Sequence, residues 1–211
     1  LTKTDLSSAS FPWLSAKQID VNLAPSVAAR VNFVGELGWE LHHPIEYQNH
    51  IFDALMSAGV EFGLKPFGIR AMDAMRLEKS YRMVGTEMSI EYAALESGLD
   101  RFVQLQKPDF IGRSGLLAWQ EKGFTNSFVT LEVKDTTDRD VIGGNPIFKE
   151  GKLIGRATSG GYGFRIGKSL ALAMVAPDCT DIGTSLEIDI LGDRFAAEII
   201  EESPFDPANE R

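Results

Sequence analysis

The residue pattern of the sequence changes after Gly123, and this change constrains the fold more than any other feature. Short runs of β-branched and apolar residues, separated by Gly, Asn and Asp, recur at intervals of roughly ten residues. The segments KEGKLIG and ILGDRF have the composition of hairpin turns. Short strands at such intervals predict a small antiparallel barrel or sandwich.

The amino-terminal part mixes strand-like and helix-like patterns. Alternating and β-branched residues from 26 to 41 indicate strands, with Gly35 and Gly38 at a turn or bulge. A helix is predicted from Pro44 to Gly59, where apolar residues recur at helical spacing. A second helix is predicted from residue 65 to about residue 85.

Together these patterns predict an α+β protein with two domains, residues 1–120 and residues 121–211. We expect the strand-rich segment, from about Phe124 to Ser203, to pair within itself rather than with residues 26–41. Four of its apolar side chains are expected to pack against the first domain: Val129, Leu131, Ile188 and Ile190.

Composition excludes several classes of protein. The single cysteine, Cys179, excludes an internal disulfide and a cysteine-rich metal site. No apolar run reaches the length of about 18 residues that a membrane span needs, and no signal-peptide pattern is present. The net charge of −9 argues against nucleic-acid and membrane-surface partners. We therefore expect a cytoplasmic protein, or one of the mitochondrial matrix if the source is eukaryotic.

Common motifs for metal, phosphate and nucleophile sites do not occur. The three histidines, His42, His43 and His50, lack further ligands at suitable spacing, so surface or packing roles are favoured over a metal site. The run GGYGFRIG does not have the spacing of a dinucleotide-binding loop, and we interpret it as a mobile or tight loop. No catalytic residue is identified by these criteria.

Two carboxylates in the segment RVNFVGELGWELHHP are the first candidates for binding residues. Glu36 and Glu40 lie in an otherwise apolar run with Phe33 and Trp39. Burying a carboxylate costs several kcal/mol unless hydrogen-bond donors surround it. A ligand with a paired N–H edge would supply such donors through two parallel, charge-assisted hydrogen bonds.

The segment GIRAMDAMRLEKSYR supplies candidate cations. Asp73 and Arg76 are three residues apart and are expected to pair along one helix face. Arg70, Arg76 and Arg82 either face a cleft or belong to a solvated helix with internal ion pairs, and both alternatives stay open. Carboxylates and arginines in one site suit a ligand with an amidine-like edge and an acidic tail, and folates have both.

These segments resemble the folate-dependent aminomethyltransferase family. NFVGELGWELHHP is similar to the signature Y-T-G-E-x-G-x-E-x-x-x-P, and GIRAMDAMRLEKSYRMVGTEMS is similar to the element G-x-x-A-x-D-x-x-R-L-E. PDFIGRSGLLA, IGRATSGGYGF and PFDPANER match later elements of the family. The variants GIRAMDAMRLEKSYR and LESGLDRFVQLQKPDFIGR indicate the branch found at the carboxy-terminal end of dimethylglycine and sarcosine dehydrogenases.

The resemblance implies a set of folate-binding residues: Glu40, Tyr81, Phe33, Glu36, Arg70, Arg76 and Arg211. Glu40 is the carboxylate implied to hold the pterin edge, and Tyr81 is the aromatic residue implied to lie near the folate. Phe33 stands where the family has Tyr, so stacking is expected without a hydrogen bond from a hydroxyl. Glu36 either supports Glu40 or makes backbone hydrogen bonds in a bulge.

One departure from the family pattern concerns an arginine. Met72 stands where the family has a folate-contacting arginine. Arg70 and Arg76 are the candidates to replace it, although helical geometry turns each of them away from position 72. Arg211 is implied to occupy the place of a carboxy-terminal residue that closes the site.

The fold implied is part of an aminomethyltransferase folate-binding domain followed by an antiparallel β-barrel. The function implied is transfer of an aminomethyl or methylene unit from an amine-derived donor to tetrahydrofolate in glycine, sarcosine or dimethylglycine catabolism. FAD is expected only in a separate upstream oxidoreductase domain or partner chain.

The acidic residue that the family uses for the transfer lies upstream of its Y-T-G-E signature and is not encoded here. We therefore expect a fragment of a longer chain. Alone it should be inactive, bind tetrahydrofolate weakly, if at all, and expose an apolar patch that favours self-association. The alternatives are a non-catalytic folate-binding or interaction module and a folate-dependent demethylase with another methyl donor.

Overall fold

A computed structural model describes residues 1–136 and 138–210. The described chain forms two compact units, Leu1–Met72 and Asp73–Glu210, each with its own hydrophobic core. These units are defined by compactness alone, so the predicted domains 1–120 and 121–211 stay a prediction. No helix in the described ranges is long and apolar enough to cross a membrane.

The first unit contains a three-stranded antiparallel sheet. Its strands are β1 (Ala16–Val21), β2 (Ala24–Ala29) and β3 (Glu40–His42), in the order β1-β2-β3. Asn22 and Leu23 connect β1 to β2 with φ values of 47° and 71°, as a tight hairpin between right-twisted strands requires. Strands were expected over residues 26–41, and the sheet confirms them at both ends of that range.

A helix follows the sheet. A 3₁₀ turn at Ile45–Tyr47 leads into α1 (Gln48–Gly59), and a second 3₁₀ turn at Val60–Phe62 ends it. This confirms the predicted helix and its end at Gly59. The left-handed residue that stops the following turn is Gly63, with a φ of 67°.

The core of the first unit lies between the sheet and α1. Its buried members are Phe11, Ile19, Val21, Ala24, Ala28 and Ile51, with Trp39 and Leu41 packed against them. The rings of Phe11 and Trp39 meet edge to face, 4.7 Å apart. Only Ile51 and Gly59 are buried within α1, so most of this helix faces solvent.

Helix α2 (Ile69–Glu78) ends earlier than predicted. The predicted extension to about Gly85 was wrong because Ser80 adopts the left-handed conformation, with a φ of 53°. The buried Ser80 hydroxyl lies 2.8 Å from the Thr130 hydroxyl, which fixes the chain after the helix. Helix α3 (Arg113–Lys122) follows, and the amide of Gly123 caps it through a bond to the Gln120 carbonyl.

Six antiparallel strands then close into a barrel in the order β4-β7-β6-β5-β8-β9. They are β4 (Ser127–Val133), β5 (Pro146–Lys149), β6 (Lys152–Gly163), β7 (Lys168–Val175), β8 (Ser185–Ile190) and β9 (Asp193–Ile200). This confirms the predicted antiparallel barrel and its pairing within the strand-rich segment.

The two faces of the barrel strands were assigned wrongly. Val129, Leu131, Ile188 and Ile190 belong to the barrel interior rather than to a face that packs outward. Because side chains alternate along a strand, the outer cluster is formed by their neighbours. This cluster contains Phe128, Leu170, Leu172 and Met174, packed with Leu77 of α2.

The glycine-rich run belongs to strand β6 rather than to a loop as far as Gly163. A Cβ atom at Gly160 would lie 2.5 Å from the Cβ of Val141 and 2.8 Å from its carbonyl oxygen. A Cβ atom at Gly163 would lie 3.0 Å from the Cγ of Glu78. Glycine is therefore needed for close packing of β6, and the predicted tight turn is confined to residues 164–167.

Candidate functional site

Glu40 opens strand β3, at the edge of the first sheet. Its side chain is 55% exposed, and its Oε2 lies 3.4 Å from Nε2 of His42, two residues along the same strand face. The expected burial of this carboxylate was wrong, because β3 is a three-residue edge strand whose outward face is solvated within its unit. The carboxylate oxygens are therefore accessible to a ligand.

The loop before Glu40 is organised by Asn32. Its Oδ1 accepts hydrogen bonds from the backbone amides of Val34, Gly35 and Glu36 at 3.1, 2.6 and 3.1 Å. Gly35 has a φ of 76°, which confirms a turn at that position. A Cβ atom at Gly38 would lie 2.5 Å from the Cβ of Asn32, so the loop closes on itself only with glycine there.

Arg30 anchors the start of the same loop. Its Nη1 donates to the Phe11 carbonyl at 2.6 Å and its Nη2 donates to the Ser8 hydroxyl at 3.0 Å. The guanidinium also lies 5.7 Å from the Trp39 ring centroid. Phe33 and Glu36 are half-buried within the loop. The loop before Glu40 is thus fixed by side-chain contacts, and Glu40 itself is paired with Ala29 of β2 in the sheet.

Further along the chain, Arg70 is exposed near the start of α2, and Met72 is half-buried. Arg211, the last predicted site residue, lies outside the described residues. Its predicted role stays a prediction.

Arg76 in the second unit is fully buried and is bound to other parts of that unit. Its Nε donates to Asp73 Oδ1 at 2.6 Å, which confirms the predicted pair. Its Nη1 donates to the Tyr81 carbonyl at 3.1 Å and to Glu87 Oε2 at 3.4 Å. Of the three guanidinium nitrogens of Arg76, Nη2 has no hydrogen-bond partner among the described residues.

Arg82 also has partners within its unit. Its Nη1 and Nη2 donate to the two carboxylate oxygens of Glu202 at 2.7 and 2.9 Å, and its Nε donates to the Ser97 carbonyl at 2.8 Å. The guanidinium lies 3.7 Å from the Phe128 ring centroid. Of the three arginines considered for a cleft, two are therefore held in internal ion pairs, and Arg70 alone is exposed.

Tyr81 is half-buried and lies just after the end of α2. Its amide donates to the Arg76 carbonyl at 3.0 Å, and its own carbonyl accepts from Arg76 Nη1. Its hydroxyl lies 3.5 Å from Asn209 Oδ1. Both the backbone and the ring of Tyr81 are thus held by other residues of the second unit.

Glu87 is a buried carboxylate that sequence reasoning missed. It accepts hydrogen bonds from Arg76, Met83, Thr86, Thr158 and Ser159. Burial raises the pKa of Glu87, but these hydrogen bonds, led by those from Ser159 and Thr158, outweigh burial and hold the pKa below its ordinary value. The two strongest donors lie more than 70 residues away, so no local pattern marks them.

Two further buried glutamates were also missed. Glu78 accepts a hydrogen bond from the Arg165 amide at 2.6 Å and forms an ion pair with the Arg165 guanidinium. Glu96 accepts from the amides of Ala93, Thr125 and Asn126 at 2.9, 3.1 and 3.0 Å. Among the described residues, the buried carboxylates are therefore in the second unit, and each one already has its donors.

The surface has two larger hollows. One, of about 700 Å³, is lined by residues of β1 and β2 and by His42, His43 and Pro44. The other, of about 1070 Å³, lies on the barrel. None of the predicted site residues within the described ranges lines either hollow. Within residues 1–136 and 138–210, no group of three His, Cys, Asp or Glu side chains is arranged to hold a metal ion.

Comparison with known families gives two matches. The profile of the GCVT N-terminal domain matches residues 1–107. The profile of the glycine cleavage T-protein C-terminal barrel domain matches residues 126–206, which include all six barrel strands.

Curated relatives are of two kinds. Dimethylglycine dehydrogenase, mitochondrial, from Homo sapiens is 42% identical over 203 residues, which are 96% of this chain and 23% of the relative. Aminomethyltransferase from Desulfitobacterium hafniense (strain DSM 10664 / DCB-2) is 33% identical over 201 residues, which are 95% of this chain and 54% of the relative. The chain therefore spans about a quarter and about half of their lengths. The higher identity to the dehydrogenase agrees with the predicted branch.

Among solved structures, the crystal structure of glycine cleavage system aminomethyltransferase T from Bartonella henselae has a TM-score of 0.81 to this chain. It is 21% identical and the match covers 92% of this chain and 53% of that one. This similarity confirms the fold. With the profile match over residues 1–107 and the two sets of relatives, it leads to one conclusion: the chain belongs to the glycine cleavage T-protein family.

Proposed function

We propose that this chain supplies part of a tetrahydrofolate-binding site to an aminomethyltransferase-like protein. That protein transfers a one-carbon unit to tetrahydrofolate in glycine, sarcosine or dimethylglycine catabolism. The observation that carries the proposal is the exposed carboxylate of Glu40, held at the end of a loop that Asn32 organises. Because the relatives are longer than this chain, the activity is proposed for the whole protein.

Glu40 has the properties required to hold a pterin edge. A carboxylate accepts two parallel hydrogen bonds, and the pterin ring offers a 2-amino group beside a ring N–H. Because Glu40 is solvated rather than paired with buried donors, a ligand replaces water and not protein hydrogen bonds.

The other predicted residues have different roles in this proposal. Tyr81 and Phe33 are half-buried aromatic residues with faces suited to stacking on flat ligands. Arg70 is an exposed cation and is assigned to the acidic tail of the folate. Arg76 acts mainly by holding the Tyr81 backbone, and its Nη2 remains as a single donor. Glu36 and Arg211 are retained as candidates, Arg211 for closing the site.

The chemistry of transfer is assigned only in part. The residues of this chain bind and orient tetrahydrofolate so that its acceptor nitrogen faces the one-carbon donor. No residue of this chain is assigned as the acid that manages the proton. The relationship to dimethylglycine dehydrogenases supports a separate oxidoreductase domain that contains FAD. Oxidation of an amine in that domain would generate the one-carbon unit. The mitochondrial location named for these relatives supports a matrix location for a eukaryotic protein.

A non-catalytic folate-binding module is the second candidate. Met72 replaces the arginine expected from the family signature, and Arg76 is bound within its own unit. A site without that cation holds the folate tail less firmly, which favours binding without efficient transfer. Single-turnover formation of methylene-tetrahydrofolate from an amine-derived donor, measured on the longest natural form of the protein, separates the two candidates.

Calorimetric titration of the longest natural form of the protein with tetrahydrofolate tests the proposal directly. Glu40→Gln keeps the size of the side chain but replaces one acceptor oxygen with a donor, so it should weaken binding by about 1.5–3 kcal/mol. Glu36→Gln should weaken it less. Glu61→Gln is the matched control, because Glu61 is an exposed glutamate of the same unit outside the loop. Equal affinities of wild type and Glu40→Gln would contradict the assignment of Glu40.

A further inference from the structure

The end of the chain lies along the segment that follows α2. The Phe205 amide donates to the Glu78 carbonyl at 3.0 Å. The Ser203 hydroxyl donates to the Lys79 carbonyl at 2.8 Å, and the Ser203 amide donates to the Ser80 hydroxyl at 3.0 Å. Residues 202–209, which we call the strap, thus hold three consecutive residues through backbone groups.

Side chains extend the same contact. Lys79 is almost completely buried, and its ammonium group donates to the Asp206 carbonyl and lies 3.9 Å from the Asp206 carboxylate. A buried ammonium is costly unless acceptors surround it, so this contact fixes the position of the strap. Arg82 forms its two-bonded ion pair with Glu202 at the other end of the segment.

The conformation held in this way is one that the segment does not prefer. Ser80 has a φ of 53°, in the left-handed region that residues with a Cβ atom seldom adopt. Such a conformation persists when the surrounding contacts determine it. Here the contacts are the Ser203 amide and the Thr130 hydroxyl, both on the Ser80 hydroxyl.

Tyr81 comes directly after this residue. We propose that the strap positions Tyr81 for the ligand, and that Lys79, Ser203 and Asp206 are positioning residues of the folate site. The Tyr81 hydroxyl, 3.5 Å from Asn209 Oδ1, adds a contact to the ring itself. This inference rests on the proposed function, because it gives the strap a role in binding only if Tyr81 touches the folate.

The inference does not follow from the sequence motifs. They assign PFDPANER to the family, but they do not connect it to residues 78–82, more than 120 positions earlier in the chain. The strap would make the folate affinity depend on side chains that do not touch the folate. Ser203 is the most useful of these, because its hydroxyl can be removed at little cost in volume.

Amide hydrogen exchange and calorimetry, both on the longest natural form of the protein, test the role of the strap. Ser203→Ala and Asp206→Asn should raise the exchange of the Ser80 and Tyr81 amides about tenfold. Both should weaken tetrahydrofolate binding about threefold to tenfold. Ser203→Ala loses the hydrogen bond from the hydroxyl to the Lys79 carbonyl, and Asp206→Asn loses the carboxylate charge beside the Lys79 ammonium group. Asp193→Asn is the matched control, because it breaks an exposed ion pair with Arg139 elsewhere in the same unit.

The outcomes are separable. Unchanged exchange at Ser80 and Tyr81 in both strap variants would overturn the restraint, and increased exchange with unchanged affinity would overturn the role in binding. Absence of tetrahydrofolate binding by the longest natural form of the wild-type protein would contradict the proposed function, while the exchange data would still decide whether the strap restrains Tyr81. Lys79→Met is a further variant, and Ser203→Ala keeps the test valid if that protein does not fold.

Discussion

Glu40 and Glu87 are both glutamates, but their surroundings in the folded protein are opposite. Glu40 is 55% exposed, and its carboxylate lies near the exposed His42. Glu87 is completely buried and accepts hydrogen bonds from five residues. A carboxylate whose acceptors are filled by protein stabilises the fold, whereas a solvated carboxylate on a fixed loop remains available to a ligand. The surroundings rather than the residue type decide the role.

The largest effect should follow loss of the Glu87 side chain. Glu87→Ala leaves the buried Arg76 guanidinium without one carboxylate and removes the acceptor of the Thr158 and Ser159 hydroxyls. Breaking a buried ion pair in this way costs about 3–5 kcal/mol. The free energy of unfolding in urea measures this loss. A loss below about 1 kcal/mol, typical of surface substitutions, would show that Glu87 is not a structural carboxylate.

A smaller effect should appear in the dependence of stability on pH. The pKa of Glu87 in the folded protein lies below its ordinary value of 4.5, because hydrogen bonds to the charged form outweigh burial. The charged form therefore contributes stability that is fully present above pH 4.5 and is lost as the pH falls through the folded pKa.

Glu87→Gln tests this sign. The variant should lose about 1.5–3 kcal/mol at pH 7, since hydrogen bonds to a charged acceptor are lost. Its stability should then fall less steeply than that of wild type below pH 4.5. The measurement is urea unfolding at a series of pH values. Parallel curves for the two proteins would show that Glu87 does not titrate with a lowered pKa.

The contrast between the two glutamates also shows what sequence reasoning can reach. The barrel was predictable because short strand-like runs at regular intervals and hairpin turns are local patterns, and the structure confirms both. The Asp73–Arg76 pair was predictable for the same reason, since three residues along a helix bring side chains together. The loop turn at Gly35 followed from a single residue.

The rest depends on contacts between distant segments. Glu87 meets Thr158 and Ser159 only after the barrel closes, so its burial could not be read from the residues around it. The end of α2 was missed because Ser80 is held in the left-handed conformation by Thr130 and Ser203. The site residues of the two units remain predictions, although the position of each described residue within its own unit is now known.

A third prediction concerns the loop that carries Glu40. Asn32→Ala removes one acceptor that serves the amides of Val34, Gly35 and Glu36. The amides are partly exposed and gain water in exchange, so the stability loss should be about 1 kcal/mol. The affinity for tetrahydrofolate should fall as well, because Glu40 loses its fixed position. Calorimetry and thermal unfolding of the same variant measure both. A change in stability without any change in affinity would separate the loop from the proposed site.

The smallest effect on stability should come from Glu40 itself. Its carboxylate makes a single 3.4 Å contact with His42, and both side chains are more than half exposed. Exposed pairs of this kind contribute about 0–1 kcal/mol, so Glu40→Gln should change the free energy of unfolding by less than about 0.5 kcal/mol. Urea unfolding at pH 7 measures it, with His42→Gln as the matched variant on the other partner. A large loss would mean that Glu40 is a structural carboxylate like Glu87. Glu40 would then not differ from Glu87, because the carboxylate assigned to the ligand would already stabilise the folded protein.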